Sequence, residues 1–79
     1  MNSELMEEIE DIIRDVSGYE DDLEPEWDLI ENRIIKSVML LEIISEIEDE
    51  YDLDVTPQDV YDGHFASLKA MVKFVSRNT

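Results

Sequence analysis

His64 and the 22 aspartates and glutamates are the side chains from which acid–base or metal chemistry could be built, and cysteine is absent. Without cysteine there is no disulfide, no thiolate ligand and no thiol nucleophile. His64 has no second imidazole with which to share a metal and stands in a predicted turn, so it reads as a turn or surface histidine. Carboxylates are too abundant for spacing to single out a general acid and base. Asp52-Leu53-Asp54-Val55-Thr56-Pro57 begins like a calcium loop but puts Pro57 where the sixth position needs glycine. Gly18 and Gly63, the only glycines, cannot build a phosphate-cradling loop or a dinucleotide turn. A small hydrolase or lyase therefore lacks a nucleophile–base pair. The residue that remains is Ser37, between a long irregular segment and a strongly periodic one. As a helix N-cap, its hydroxyl would accept from a first-turn N–H. The same place also suits a covalently attached phosphodiester, because a helix N-terminus offers unpaired amides and a positive dipole end.

The elements that would hold Ser37 follow from apolar spacing. Leu5, Ile9, Ile12, Ile13 and Val16 share one helical face, predicting an amphipathic helix over 3–16 with Ser3 as N-cap and Ser17-Gly18 as its stop. From Tyr19 to Arg33 the pattern dissolves into an acidic loop containing Glu24-Pro25, with Leu23, Trp27, Leu29 and Ile30 as expected anchors. Residues 37–51 predict a buried helix with a stripe of Leu41, Ile44, Ile47 and Tyr51, widened by Leu40 and Ile43. Thr56-Pro57-Gln58-Asp59 carries a capping box and an N1 proline for a short third helix over 57–62, ended by Gly63. Leu68, Met71, Val72 and Val75 mark a last amphipathic helix, with Lys69, Lys73 and Arg77 on it. The expected core is Leu5, Ile9, Ile12, Val16, Leu41, Ile44, Ile47, Leu68, Met71 and Val75. Nothing alternates at period two, so the fold class is all-α.

Seventy-nine residues, 43% apolar, fit one domain over 1–79. A core this small leaves little room for an enclosed cleft. Six bases against 22 acids give a net charge of −16, which repels phosphate backbones and anionic headgroups and sets aside nucleic acid and membrane as partners. The N-terminus Met1-Asn2-Ser3-Glu4-Leu5-Met6-Glu7-Glu8 has acids where a secretory signal needs bases. The expectation is a cytoplasmic, monomeric protein.

Asp28-Leu29-Ile30-Glu31-Asn32-Arg33-Ile34-Ile35-Lys36-Ser37-Val38-Met39-Leu40-Leu41-Glu42-Ile43-Ile44, coming after an amphipathic helix and a long loop, resembles the acyl and peptidyl carrier proteins, including the stand-alone D-alanyl carriers. Ile47-Glu48-Asp49-Glu50-Tyr51-Asp52-Leu53-Asp54-Val55 is similar to the acidic end of that family's second helix. Thr56-Pro57-Gln58-Asp59-Val60 resembles its short third helix, and Phe65-Ala66-Ser67-Leu68 the start of its fourth. The resemblance implies a four-helix bundle of three main helices and one short one. It implies no enzyme activity but a carrier, with 4′-phosphopantetheine, donated by coenzyme A through a separate phosphopantetheinyl transferase, esterified to Ser37. Acyl or aminoacyl groups would travel as thioesters between enzymes of a fatty-acid, lipid or specialised metabolite pathway. Partner enzymes with basic docking patches would meet Lys36, Val38, Met39, Glu42, Ser45, Glu48 and Asp49.

Two positions depart from the family pattern. Lys36 stands where the family's Asp-Ser-Leu signature has aspartate, reversing a charge beside the serine and bearing on recognition by a standard transferase. Arg33 stands where carriers commonly have glycine, and Met39 and Leu40 are more apolar than in a main fatty-acid carrier, as exposed residues facing a specialised partner would be. The competing reading is an unmodified acidic helical adaptor for a basic protein, in which Ser37 only caps a helix.

Overall fold

The structure is a computed structural model describing residues 3–79; Met1 and Asn2 of the acidic N-terminus lie outside the described residues. Four helices follow one another: α1 (Ser3–Ser17), α2 (Ser37–Tyr51), α3 (Pro57–Tyr61) and α4 (Leu68–Asn78), with no strand among the described residues. The bundle is the all-α, three-long-plus-one-short arrangement that the spacing predicts. Ser3 already belongs to α1 rather than preceding it as a cap.

Each boundary has a local cause. Gly18 adopts φ +73°, the left-handed conformation that costs glycine nothing, and its N–H meets the Arg14 carbonyl at 2.8 Å to close α1. Asp52 takes the same kind of conformation (φ 54°) at the end of α2, with its own N–H and that of Leu53 both directed to Glu48 O. Thr56 and Asp59 form the expected capping box around Pro57. The Thr56 backbone N–H donating to its carboxylate holds Asp59 below the usual carboxylate range. Ser67 caps α4 by accepting from the Ala70 N–H at 3.1 Å.

One apolar core joins the long helices. Ile9 and Ile13 of α1, Ile43 and Ile47 of α2, and Leu68, Met71 and Val75 of α4 are fully or almost fully buried, together with Phe65 ahead of α4. Phe65 and Phe74 pack ring to ring at 5.0 Å, and His64 lies half-buried against Phe74 at 5.3 Å, the turn histidine that the sequence predicts. No polar or charged side chain is buried among the described residues.

The structure corrects three expectations about packing. Leu41, placed in the core by its spacing, is 67% exposed, and the buried stripe of α2 runs through Leu40, Ile43, Ile44 and Ile47. Both sets have helical spacing and share Ile44 and Ile47; the buried stripe turns toward Leu40 and Ile43 and away from Leu41. Of the loop anchors, Leu29 is fully buried and Leu23 packs against the core, whereas Trp27 and Ile30 are exposed. Ile34 and Ile35, absent from the expected core, are buried in it.

Candidate functional site

The segment between α1 and α2 is irregular but pinned at three places. Arg14 pairs with Glu10 one turn back at 2.9 Å and donates through Nη1 to the carbonyls of Tyr19 and Asp21, fixing the start of the loop. The Pro25 carbonyl accepts from Lys69 N–H of α4 at 2.9 Å, and Leu29 N–H donates to the Ala66 carbonyl at 2.9 Å. Loop backbone is thus satisfied by α1, by α4 and by the turn ahead of α4.

The last pin sets the position of the serine. Asp28 Oδ1 accepts from the N–H groups of Ile30 and Glu31, holding a tight turn. Arg33 then adopts φ +59°, reversing the chain so that the N–H groups of Ile34 and Ile35 both reach the Leu29 carbonyl. Ile34 and Ile35 plug the core, and Lys36 and Ser37 emerge at the surface. A left-handed residue without glycine is uncommon, which gives physical content to the glycine that carriers commonly have here.

Lys36 is the N-cap of α2, with extended backbone (φ −94°, ψ 159°), and Ser37 is the first helical residue. The expectation that Ser37 is the N-cap is therefore one position off. Lysine has no acceptor, and Lys36 makes no side-chain capping bond. The Lys36 carbonyl still accepts from Met39 and Leu40 N–H, but the start of α2 receives no carboxylate or hydroxyl from the cap, and its first turn holds no acid. On a chain of charge −16 this is an acid-free window: between Asn32 and Leu41 the only charges are Arg33 and Lys36, both exposed. An exposed hydroxyl on uncapped amides, beside a lysine, fits a phosphodiester anion by charge and by access.

The other expected partner residues spread along α2. Val38 is 62% exposed, and Glu42, Ser45 and Asp49 are exposed on the turns that follow. Met39 is half-buried against the core and Leu40 is buried, so neither is the exposed apolar residue expected after the serine; Val38 and Leu41 fill that role. Leu41 lies one turn from both Ser37 and Ser45, on their face of the helix, and that spacing is the signal that could have moved it out of the core. Glu48 is half-buried, its Oε2 accepting from Val55 N–H at 2.9 Å, which ties the acidic end of α2 to the approach to α3.

Two apolar grooves flank this helix, each including Val60 of α3. One, of about 330 Å³, is lined by Ile30, Leu40, Phe65 and Ala66 with Asp28 and Glu31. The other, of about 350 Å³, is lined by Leu41, Ile44, Val55, Thr56 and Pro57. Among the described residues no cluster of three or more acids or histidine is arranged to hold a metal ion, and no helix is long and apolar enough to cross a membrane.

No curated protein and no solved structure shows significant similarity to the chain. A family model does: the phosphopantetheine attachment site, matched over residues 7–75, from the second turn of α1 to near the end of α4. Such domains are carriers and not catalysts, and the covalent 4′-phosphopantetheine supplies the thiol on which an acyl group is held. With nearly its whole length matched and a four-helix bundle of the carrier kind, the chain belongs to the phosphopantetheine-attachment family of acyl carrier proteins.

Proposed function

We propose that residues 1–79 form one carrier domain whose attachment residue is Ser37. The observation that supports this most directly is its placement: an exposed serine on the first turn of α2, with no capping acceptor ahead of it and no acid within the turn. Ser37 Oγ forms a bond to the β-phosphorus of coenzyme A as the phosphoanhydride bond to 3′,5′-ADP breaks, and the hydroxyl proton passes to a base on the transferase. The chain contributes a reachable hydroxyl and a local field that tolerates the resulting anion.

The exposed face of α2 then serves as a docking strip for acyl- or aminoacyl-handling enzymes. Glu42, Ser45 and Asp49 follow the apolar step of Val38 and Leu41, a pattern suited to enzymes with basic patches beyond the first turn. The apolar grooves beside Leu40 and Leu41 favour an acyl cargo of a fatty-acid, lipid or specialised metabolite pathway. The net charge of −16 keeps copies apart and supports a monomer.

Intact-protein mass after incubation with coenzyme A and a broad-specificity phosphopantetheinyl transferase tests the assignment. One phosphopantetheine should be gained by the wild type and none by Ser37→Ala. Equal gain in both would move the attachment elsewhere. No gain in the wild type or in Lys36→Asp would favour the unmodified adaptor.

A further inference from the structure

Taking Ser37 as the attachment residue, we propose that Lys36 determines which transferase loads this carrier: one that presents a carboxylate, and not a cation, to the residue preceding the serine. The observation is the charge pattern of the segment that carries Ser37. The chain has 22 acids, yet Asn32 to Leu41 contains none, and the two charges there are Arg33 and Lys36. Both are exposed, and the one ion pair among the described residues is Arg14 with Glu10, so neither cation is neutralised from within the fold. Acids resume only at Glu42, beyond the exposed side chains of Val38 and Leu41. Along the helix the surface therefore runs from cationic, through apolar, to acidic.

A transferase has less freedom than any later partner in how it meets this surface. Later partners work at the far end of a long arm and can sit away from the helix start. A transferase must bring the pyrophosphate of coenzyme A to Ser37 Oγ itself, so its active-site rim lies against residues 36 and 38. Lys36 is the N-cap, and its side chain leaves the chain immediately before that hydroxyl. A rim cation there meets like charge at close range in a partly desolvated interface, where repulsion acts as a filter against the wrong enzyme. A rim carboxylate meets a lysine with no competing partner. Basic residues remain favourable further along, opposite Glu42 and Asp49.

The test uses the full chain and a broad-specificity transferase whose carrier-binding surface is basic. Initial rates of mass gain from coenzyme A are measured for wild type, Lys36→Ala and Lys36→Asp. The same set is repeated with single Arg→Glu and Lys→Glu variants of the transferase rim. Affinities of the matching Ser37→Ala forms, which cannot turn over, are measured by calorimetry. We expect Lys36→Asp to be loaded at least tenfold faster than wild type by the basic enzyme, with Lys36→Ala between them. At least one Glu rim variant should reverse the order in both rate and affinity. Equal rates for all three chains modified on Ser37, or an order that no rim variant reverses, overturns the role of Lys36 and leaves the Ser37 assignment standing. No mass gain in any of the three, with helical circular dichroism intact, overturns the Ser37 assignment and this inference with it.

Discussion

The Tyr51 hydroxyl donates to Glu8 Oε1 at 2.7 Å, joining the last residue of α2 to the second turn of α1 across 43 positions of sequence. Burial, and next the bond to Glu8, holds the Tyr51 phenol well above the ordinary tyrosine range. The folded state therefore prefers the neutral phenol, while the unfolded chain ionises near ~10. The sign follows: the link stabilises fully below that value and is lost as pH rises toward the raised folded one. Tyr51→Phe should cost about 1 kcal/mol at pH 8 by urea denaturation. The gap between wild type and variant should shrink in alkaline solution; a constant gap would show that ionisation of Tyr51 does not couple to folding.

Arg33 occupies a left-handed backbone position at φ 59°, and Asp52 another at φ 54°. For a residue with a Cβ such a position costs roughly 1–2 kcal/mol, offset in glycine by its larger loss of backbone entropy, about 0.5–1 kcal/mol. Arg33→Gly should therefore stabilise by about 0.5–1 kcal/mol, read as a rise of a few degrees in Tm, and Asp52→Gly by less, because aspartate tolerates the left-handed region better than other residues with a Cβ. Gly18→Ala, which imposes the same conformation on alanine, should lower Tm by about as much as Arg33→Gly raises it. A destabilised Arg33→Gly would mean that the arginine side chain contributes more than its backbone costs.

Six bases face 22 acids, and Arg14 with Glu10 is the one ion pair among the described residues, so repulsion is the dominant electrostatic effect of folding this chain. Salt shortens the reach of that repulsion from ~30 Å at 0.01 M to ~8 Å at 0.15 M and less beyond. Melting in 0.5 M sodium chloride should exceed that in 0.01 M by a stabilisation on the order of 1 kcal/mol, or about 4–8 °C for a domain of this size. A Tm independent of salt would show that the acids are already accommodated by the fold.

Helix positions were legible where two local signals agreed. Thr56, Pro57 and Asp59 formed the capping box that their spacing announces, and Ser17-Gly18 ended α1 as expected. Ile34 and Ile35 were not legible as core because they lie in irregular backbone, where burial follows from the Leu29 turn and not from any period. Capping rules place the cap at Ser37, one residue late, for a similar reason. A lysine N-cap has no propensity signal, and only the backbone angles of Lys36 reveal it. The uncapped, acid-free helix start that makes Ser37 a candidate was thus readable in composition but not in capping rules.

Leu40 and Leu41 are adjacent in sequence and opposite in environment, 9% and 67% exposed, and their substitution separates packing from docking. Leu40→Ala empties part of the α2 stripe and should cost about 2–5 kcal/mol. Leu41→Ser removes only exposed apolar surface, so its effect on stability should stay within about 0.5 kcal/mol. If the face shared by Ser37, Leu41 and Ser45 is the one that partners meet, Leu41→Ser should slow loading of the carrier while leaving its melt unchanged. A Leu41→Ser variant that melts as early as Leu40→Ala would return Leu41 to the core. One that melts and loads like wild type would instead confine the docking strip to Lys36, Val38 and the acids from Glu42 onward.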